Sequence, residues 1–379
     1  MSAETIFSNA RIVLADEIVH GAVAIRDGKI ADIQPGGAAV GEDFGDDYLI
    51  PGLVELHTDH LEGHYAPRPK VRWNPLAAVL AHDAQVATSG ITTVFDALRI
   101  GLDEDSDIVA KDMRKLADAI EDGVRGDRLR ADHFIHLRCE VSSDDCVDSF
   151  GLYDDDERVR LVSLMDHAPG QRQFVDLETY ASYYKRKLNL TDEAFREFCE
   201  KRMEQSRRNS RRQREAIAAA CRARGIVLAS HDDATDVHVG EAIEQGIRVA
   251  EFPTTMTAAA ASKKAGMGVL MGAPNVVRGG SHSGNVSARE LAENDCLDIL
   301  SSDYIPFSLI QSAFFLGEVV DAISLPRAVA MVSKNPADAT GLTDRGEIAV
   351  GKRADLVRVR VDEHIPVVRS VWREGRRVA

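Results

Sequence analysis

The stretch Leu49–His64, LIPGLVELHTDHLEGH, carries an apolar run through Pro51 and Gly52 into His57 and Asp59, two metal-capable side chains spaced by two. On a β-strand that spacing sends both to the same face, about 7 Å apart along the backbone, within reach of one cation. A lone His-x-Asp is ordinarily a solvated strand end, so the weight rests on recurrence. The pattern recurs.

Apolar, β-branched runs appear at Leu49–Leu56, Ile91–Ala97, His133–Val141, Leu161–Met165, Ile226–Ser230, Arg248–Pro253, Gly268–Met271 and Asp298–Ser302. Most are separated by helix-forming stretches such as Lys111–Gly123 and Arg211–Arg224. Strands apolar on both faces and joined by helices indicate a parallel sheet, and eight in succession predict an α/β fold, a (β/α)8 TIM-type barrel. An open doubly wound sheet fits less well, because no GxGxxG follows a first strand. The ends of the chain read differently. From Thr5 to Ile33, and again in GEIAVGKRADLVRVRV and VVRSVWREGRRV, short alternating strands are punctuated by turns such as Asp27-Gly28. They predict a small β-sandwich domain built from both termini, residues 1–48 and 341–379, around a barrel at 49–340.

In such a barrel, catalytic groups gather at the C-terminal ends of the strands. Here those ends carry His57 and Asp59, then HLRCE with Glu140, LMDH with Asp166 and His167, ASHDD with His231, and SSD with Asp303. Cys139 and Glu140 are neighbours, as are Asp166 and His167, so one of each pair faces inward; Glu140 and His167 are the candidates. Imidazoles and carboxylates without thiolate pairs suit zinc, manganese or iron, and their number suits two ions sharing a bridging carboxylate. Two ions roughly 3.5–4 Å apart would lower the pKa of a bridging water and leave hydroxide as nucleophile. Asp303 would then take or position the proton. The pattern predicts hydrolysis.

Sixty-one Asp and Glu against 46 Lys and Arg leave a formal charge of −15, which argues against a nucleic-acid or anionic-membrane surface. An anionic substrate must therefore meet a local cluster of cations. The loop after the first strand offers Arg68 and Lys70, that after the fourth Arg172, and APNVVRGGSHSGN after the seventh offers Arg278, Ser281 and His282 among flexible glycines. Guanidinium, hydroxyl and backbone N–H groups of this kind wrap phosphates. Several cations at one rim predict a small-molecule substrate with several phosphates. By contrast, the run Arg207, Arg208, Arg211, Arg212 and Arg214, in the charged excursion between Gly170 and Gly225, predicts a solvated helical face or a subunit contact. Five cysteines without CxxC pairing, no basic-then-apolar leader and no apolar run of membrane length predict a reduced compartment, the cytoplasm.

The terminal strands, PGLVELH with an acid two residues on, GITTVFDA, the strand-end histidines, Asp303 and the closing NPAxxxGLTDRGEIAVGKRADLV resemble the amidohydrolase superfamily over essentially the whole chain. More narrowly, ELHTDH, PRPKVRW, HLRCE, LVSLMDHAPGQRQF, ASHDDAT, LMGAPNVVRGGSHSGN and DILSSDY are similar to the diphosphatases of the carbon-phosphorus lyase pathway. This resemblance implies a phosphorylated ribose phosphonate as substrate, its triphosphate cut at the α-phosphorus to the 5-phosphate and pyrophosphate. It also implies metal ligands at His57, Asp59 and His231, and the last-strand acid at Asp303. A homo-oligomer and contact with other enzymes of the pathway are the corresponding partner expectations. The chain departs from the superfamily pattern in having His-x-Asp for His-x-His, no lysine on the fourth strand and Glu251 where a histidine is common. The bridging ligand is therefore open between Glu140 and Glu251, with His60 a possible auxiliary. The rival enzyme reading is a cyclic-amide hydrolase or deaminase on the same scaffold, and the rival class is a non-catalytic barrel that holds partner proteins.

Overall fold

The structure is a computed structural model that describes residues 4–37, 40–101, 108–172, 180–181, 185, 190–280 and 284–379. Eight parallel strands form one sheet in chain order: Leu53–Thr58, Ile91–Ile100, Asp132–Glu140, Val159–Met165, Val227–His231, Val249–Glu251, Gly268–Gly272 and Ile299–Ser301. These are the first to eighth barrel strands. The sheet closes on itself where Thr58 bridges Asp303 in parallel. There, the Asp303 N–H donates to the His57 carbonyl and the Asp59 N–H to the Asp303 carbonyl, both at 3.0 Å. The barrel interior is filled by Val54, Leu56, Phe95, Leu161, Ala229, Val249, Leu270 and Ile299. It is a packed core whose polar residues collect at one mouth.

The N- and C-terminal strands form a second, mostly antiparallel sheet around Phe7, Phe44, Leu49, Leu356 and Trp372. It curls until Ile30 N–H donates to the Lys352 carbonyl and Gly351 N–H to the Ile30 carbonyl, so one sheet encloses its own small core. The apolar run at Leu49–Leu56 is two strands. Tyr48–Pro51 pairs with Leu356–Asp362 in the terminal sheet, and the chain enters the barrel after Gly52. A Cβ at Gly52 would lie 2.2 Å from Thr92 Oγ1, which explains why glycine makes this crossing. Arg345, Arg353 and Arg373 converge on the Asp132 carboxylate at 2.6, 2.8 and 3.3 Å, fastening the terminal sheet to the start of the third barrel strand.

The excursion after the fourth strand contains the long helix Asp192–Arg224, started by the Thr191 side chain and ended at left-handed Gly225. Its basic run is divided. Arg207, Arg208 and Arg211 are exposed and paired with Glu204, Asp144 and Glu215, whereas Arg214 is buried and reaches the Leu164 carbonyl. The inner face carries amides and hydroxyls: Gln213 donates to the Val141 carbonyl, Asn209 to the Ser142 carbonyl, and Ser206 and Ser210 to Asp166. Among the described residues no helix is long and apolar enough to cross a membrane, and the five cysteines are unbridged.

Between the barrel and its second helix, Pro75–Thr88, lies a dry ionic cluster. Asp96 accepts from His82 at 2.8 Å and from His133 at 2.7 Å, and Asp83 meets the other nitrogen of His133 at 3.3 Å. Burial alone would lower the His133 pKa, but Asp96 and Asp83 raise it to about 10. Burial alone would raise Asp96, but His133 brings it down to about 2. The His133 contribution to stability is therefore complete below its unfolded value of about 6.5 and is lost as pH rises through 10. The Asp96 contribution is present above its unfolded value of about 3.9 and is lost as pH falls through 2. Urea unfolding should accordingly show stability falling between pH 7 and 10. Asp96→Asn, which removes one of the two carboxylates on a buried imidazolium, should cost about 3–5 kcal/mol at neutral pH.

Candidate metal centre

The first barrel strand is irregular where the site begins. Its pairing with the second strand shifts between Glu55 and Thr58, and the Glu55 carboxylate accepts from the backbone N–H of His57 at 2.6 Å and of Ser302 at 2.5 Å. Val54 and Leu56 face the interior core, yet His57 also turns inward after this irregularity. Burial pushes the Glu55 carboxyl up to about 7.

Below the mouth, Glu251 of the sixth strand is fully buried among three imidazoles. Its Oε1 lies 3.2 Å from His57 Nδ1 and 3.8 Å from His136 Nε2, and its Oε2 lies 3.3 Å from His231 Nδ1. Ser163 donates to the same carboxylate at 2.5 Å. Burial opposes ionisation of Glu251, but the histidines hold its pKa well below the usual carboxylate range. With Nδ1 of His57 and His231 turned to Glu251, their Nε2 atoms face the mouth. His57 Nε2 is 3.7 Å from Asp59, and His231 Nε2 is 3.5 Å from Asp232. Glu140 repeats the device: its Oε2 lies 2.6 Å from His167 Nδ1, leaving His167 Nε2 3.4 Å from Asp232. Carboxylates that fix one imidazole nitrogen so that the other can bind a cation are characteristic of metal sites.

Among the described residues, two ligand sets result at the mouth. His57, Asp59 and Asp303 each present an atom within 4.8 Å of the others, and so do His167, His231 and Asp232. A third set, His57, His136 and Glu251, lies deeper. The mixture of imidazole nitrogen and carboxylate oxygen fits a divalent metal of the zinc, manganese or iron kind. The structure thus brings together His57, Asp59, Glu140, His167, His231 and Asp303 from strands far apart in sequence. Glu140 and Glu251, the two candidates for a bridging ligand, each face histidine rings. His60 turns away, to Gln85 at 2.8 Å.

Three strand ends leave in the left-handed region, at Asp232 (φ 58°), Phe252 (φ 53°) and Asp303 (φ 54°). At Asp232 this turn lets a residue adjacent to His231 face the same mouth, which strand alternation alone forbids. Burial raises the Asp303 pKa, and nearby Asp59 adds to the effect. Of the proposed rim cations, Arg68 and Lys70 are exposed on the loop after the first strand and Arg278 at the end of the short helix Ala273–Arg278 after the seventh. Arg172 is buried, and its guanidinium binds Asp233 and, at 3.0 Å, Glu241. Ser281 and His282 lie outside the described residues.

Sequence reasoning passed over His136, Arg138 and Asp232. For the first two a signal exists: once Glu140 is taken as inward, residues 138 and 136 of the same strand share its side. Arg138 Nη1 lies 2.6 Å from each oxygen of Asp59. Because Glu251 orients two candidate ligands, Glu251→Gln should weaken metal binding by about 10–100-fold, measured by equilibrium dialysis of the folded protein.

Comparisons with known proteins agree with this architecture. Residues 164–379 match the Amidohydrolase family. The chain is 48% identical over 377 residues to the alpha-D-ribose 1-methylphosphonate 5-triphosphate diphosphatase of Escherichia coli (strain K12), covering 98% of this chain and 100% of that protein. Among solved structures, the N-acetylglucosamine-6-phosphate deacetylase of Pasteurella multocida superposes with TM-score 0.64 at 14% identity, covering 99% of each chain. The 5-methylcytosine deaminase of Klebsiella pneumoniae superposes with TM-score 0.66 at 14% identity, covering 99% of this chain and 97% of that one. The solved structures share the fold; the Escherichia coli relative shares nearly half the residues as well. With a barrel closed at Asp303, a terminal sheet drawn from both ends and these matches along its length, the chain belongs to the amidohydrolase family.

Proposed function

We propose that this protein hydrolyses alpha-D-ribose 1-methylphosphonate 5-triphosphate to the 5-phosphate and pyrophosphate. The observation that carries this reading is the 48% identity, over 377 residues, to the Escherichia coli diphosphatase. A mouth lined by imidazoles and carboxylates, with Arg68, Lys70 and Arg278 on the segments after the first and seventh strands, supports it. A neutral cyclic amide would not need such cations. The expected setting is the cytoplasm, with a small-molecule substrate.

His167, His231 and Asp232 are the proposed metal-holding groups, with His57 facing the same mouth and Glu140 and Glu251 orienting the rings. A bound divalent metal lowers the pKa of water and so supplies a nucleophile at neutral pH. Asp303, whose burial favours the protonated carboxyl, takes a proton as the water oxygen adds to the α-phosphorus. The bond from that phosphorus to the oxygen bridging the β-phosphorus breaks, and pyrophosphate leaves with the bridging oxygen. The attacking oxygen remains in the 5-phosphate. Arg68, Lys70 and Arg278 hold the β- and γ-phosphates, and Ser281 and His282 add donors from the glycine-rich loop. Arg172 is buried and its guanidinium is taken up by Asp233 and Glu241.

Metal-loaded protein given the ribose triphosphate should release pyrophosphate, measured by a coupled colorimetric assay. Rapid turnover of a hydantoin or an aminopurine, without pyrophosphate release, would reject the proposal. Asp303→Asn should keep fold and metal while kcat falls about 10²–10⁴-fold. Arg278→Ala should chiefly raise KM for the triphosphate; equal damage with a short uncharged analogue would deny it a phosphate-binding role.

A further inference from the structure

Arg138 stands in the third barrel strand between His136 and Glu140, on the side that faces the mouth. Like Arg99 of the second strand, which also acts on Asp59, it carries a charge that is positive at every accessible pH. Its guanidinium contacts both oxygens of Asp59 at 2.6 Å, while His57 stands farther from that carboxylate, at 3.7 Å. Asp59 therefore faces a fixed organic cation where an ion spanning His57, Asp59 and Asp303 would otherwise be neutralised. Arg138 also acts electrostatically on His57, His136, Asp232 and Asp303. Its Nε is buried and unpartnered among the described residues. The second ligand set, His167, His231 and Asp232, keeps its three atoms within 4.8 Å of one another.

A divalent ion on Asp59 would lie within a few ångströms of a guanidinium in a partly desolvated mouth, where like charges repel strongly. A guanidinium already supplies there what a second ion would, a positive charge with donors matched to phosphate oxygens. We infer that Arg138 takes the second cation position: the centre binds one divalent ion, on the side of His167, His231 and Asp232, and the Arg138–Asp59 pair provides the other positive charge. Asp59 engages Nη1 of Arg138, so Nε–H is one donor left for a substrate oxygen. That oxygen is a phosphate oxygen if the proposed function is right; the ion count does not rest on that reading.

The test is a count of ions. Full-length protein is stripped with a chelator, reloaded with excess Mn²⁺ or Zn²⁺, freed of loose metal by gel filtration and analysed by plasma mass spectrometry, with circular dichroism to verify folding. Wild type and Asp59→Asn should each hold one ion per chain. Arg138→Gln should keep one ion and lose about 10²–10³-fold in kcat/KM for the triphosphate, with Arg138→Lys recovering part. Two ions in wild type, or one ion lost on Asp59→Asn, would overturn the inference. Should Asp59→Asn fail to fold, calorimetric titration of wild type with Mn²⁺ decides, since a second tight equivalent excludes the arrangement. Failure to release pyrophosphate would sink the proposed function and leave the ion count intact, whereas two ions with rapid pyrophosphate release would sink this inference alone.

Discussion

The site depends on the burial of one carboxylate. Glu251 lies beneath the mouth with no access to water, and an isolated charge there would be too costly to keep. It stays ionised because His57, His136 and His231 approach it from the first, third and fifth strands. Each partner loses its reason to be a histidine without the acid, and the acid cannot be buried without them. Two rings turned to Glu251 through Nδ1 have their second nitrogen aimed outward, so one interaction at the base sets the direction of the donors above it.

A second constraint decides where Asp303 stands. The first and eighth strands meet through paired backbone hydrogen bonds around Thr58 and Asp303, and Glu55 ties His57 and Ser302 together from behind. The closure of the barrel and the assembly of the site are thus the same set of contacts. A shift of either strand by one residue would separate the acid from the histidine and open the seam.

Much of this was readable in the sequence. Each apolar run corresponds to a barrel strand, because alternating helices and doubly buried strands leave a strong periodic mark. The division at Gly52 was not, since Leu49–Leu56 is apolar throughout and only the crowding against Thr92 reveals where the chain changes sheet. The strand-end acids and histidines stood out by type. Arg138 was missed because a positive residue does not look like part of a metal centre, and Asp232 because its inward turn depends on a left-handed backbone that residue identity does not announce. The orienting roles of Glu140 and Glu251 are likewise invisible from spacing: a carboxylate that binds metal and one that holds a ring are the same letter.

The terminal sheet has a consequence for biogenesis. Tyr48–Pro51 has Leu356–Val359 as its antiparallel neighbours, about 300 residues later in the chain. At ribosomal speeds of about 5–20 residues per second, that edge waits on the order of 15–60 s for its partner. The emerging barrel therefore grows beside a strand that Arg11 and Ile12 match on one side only, until Leu356–Val359 arrive to cover the other. A nascent chain of this design keeps that side open while the whole barrel is made, and a chain released before Leu356 would carry an adhesive edge.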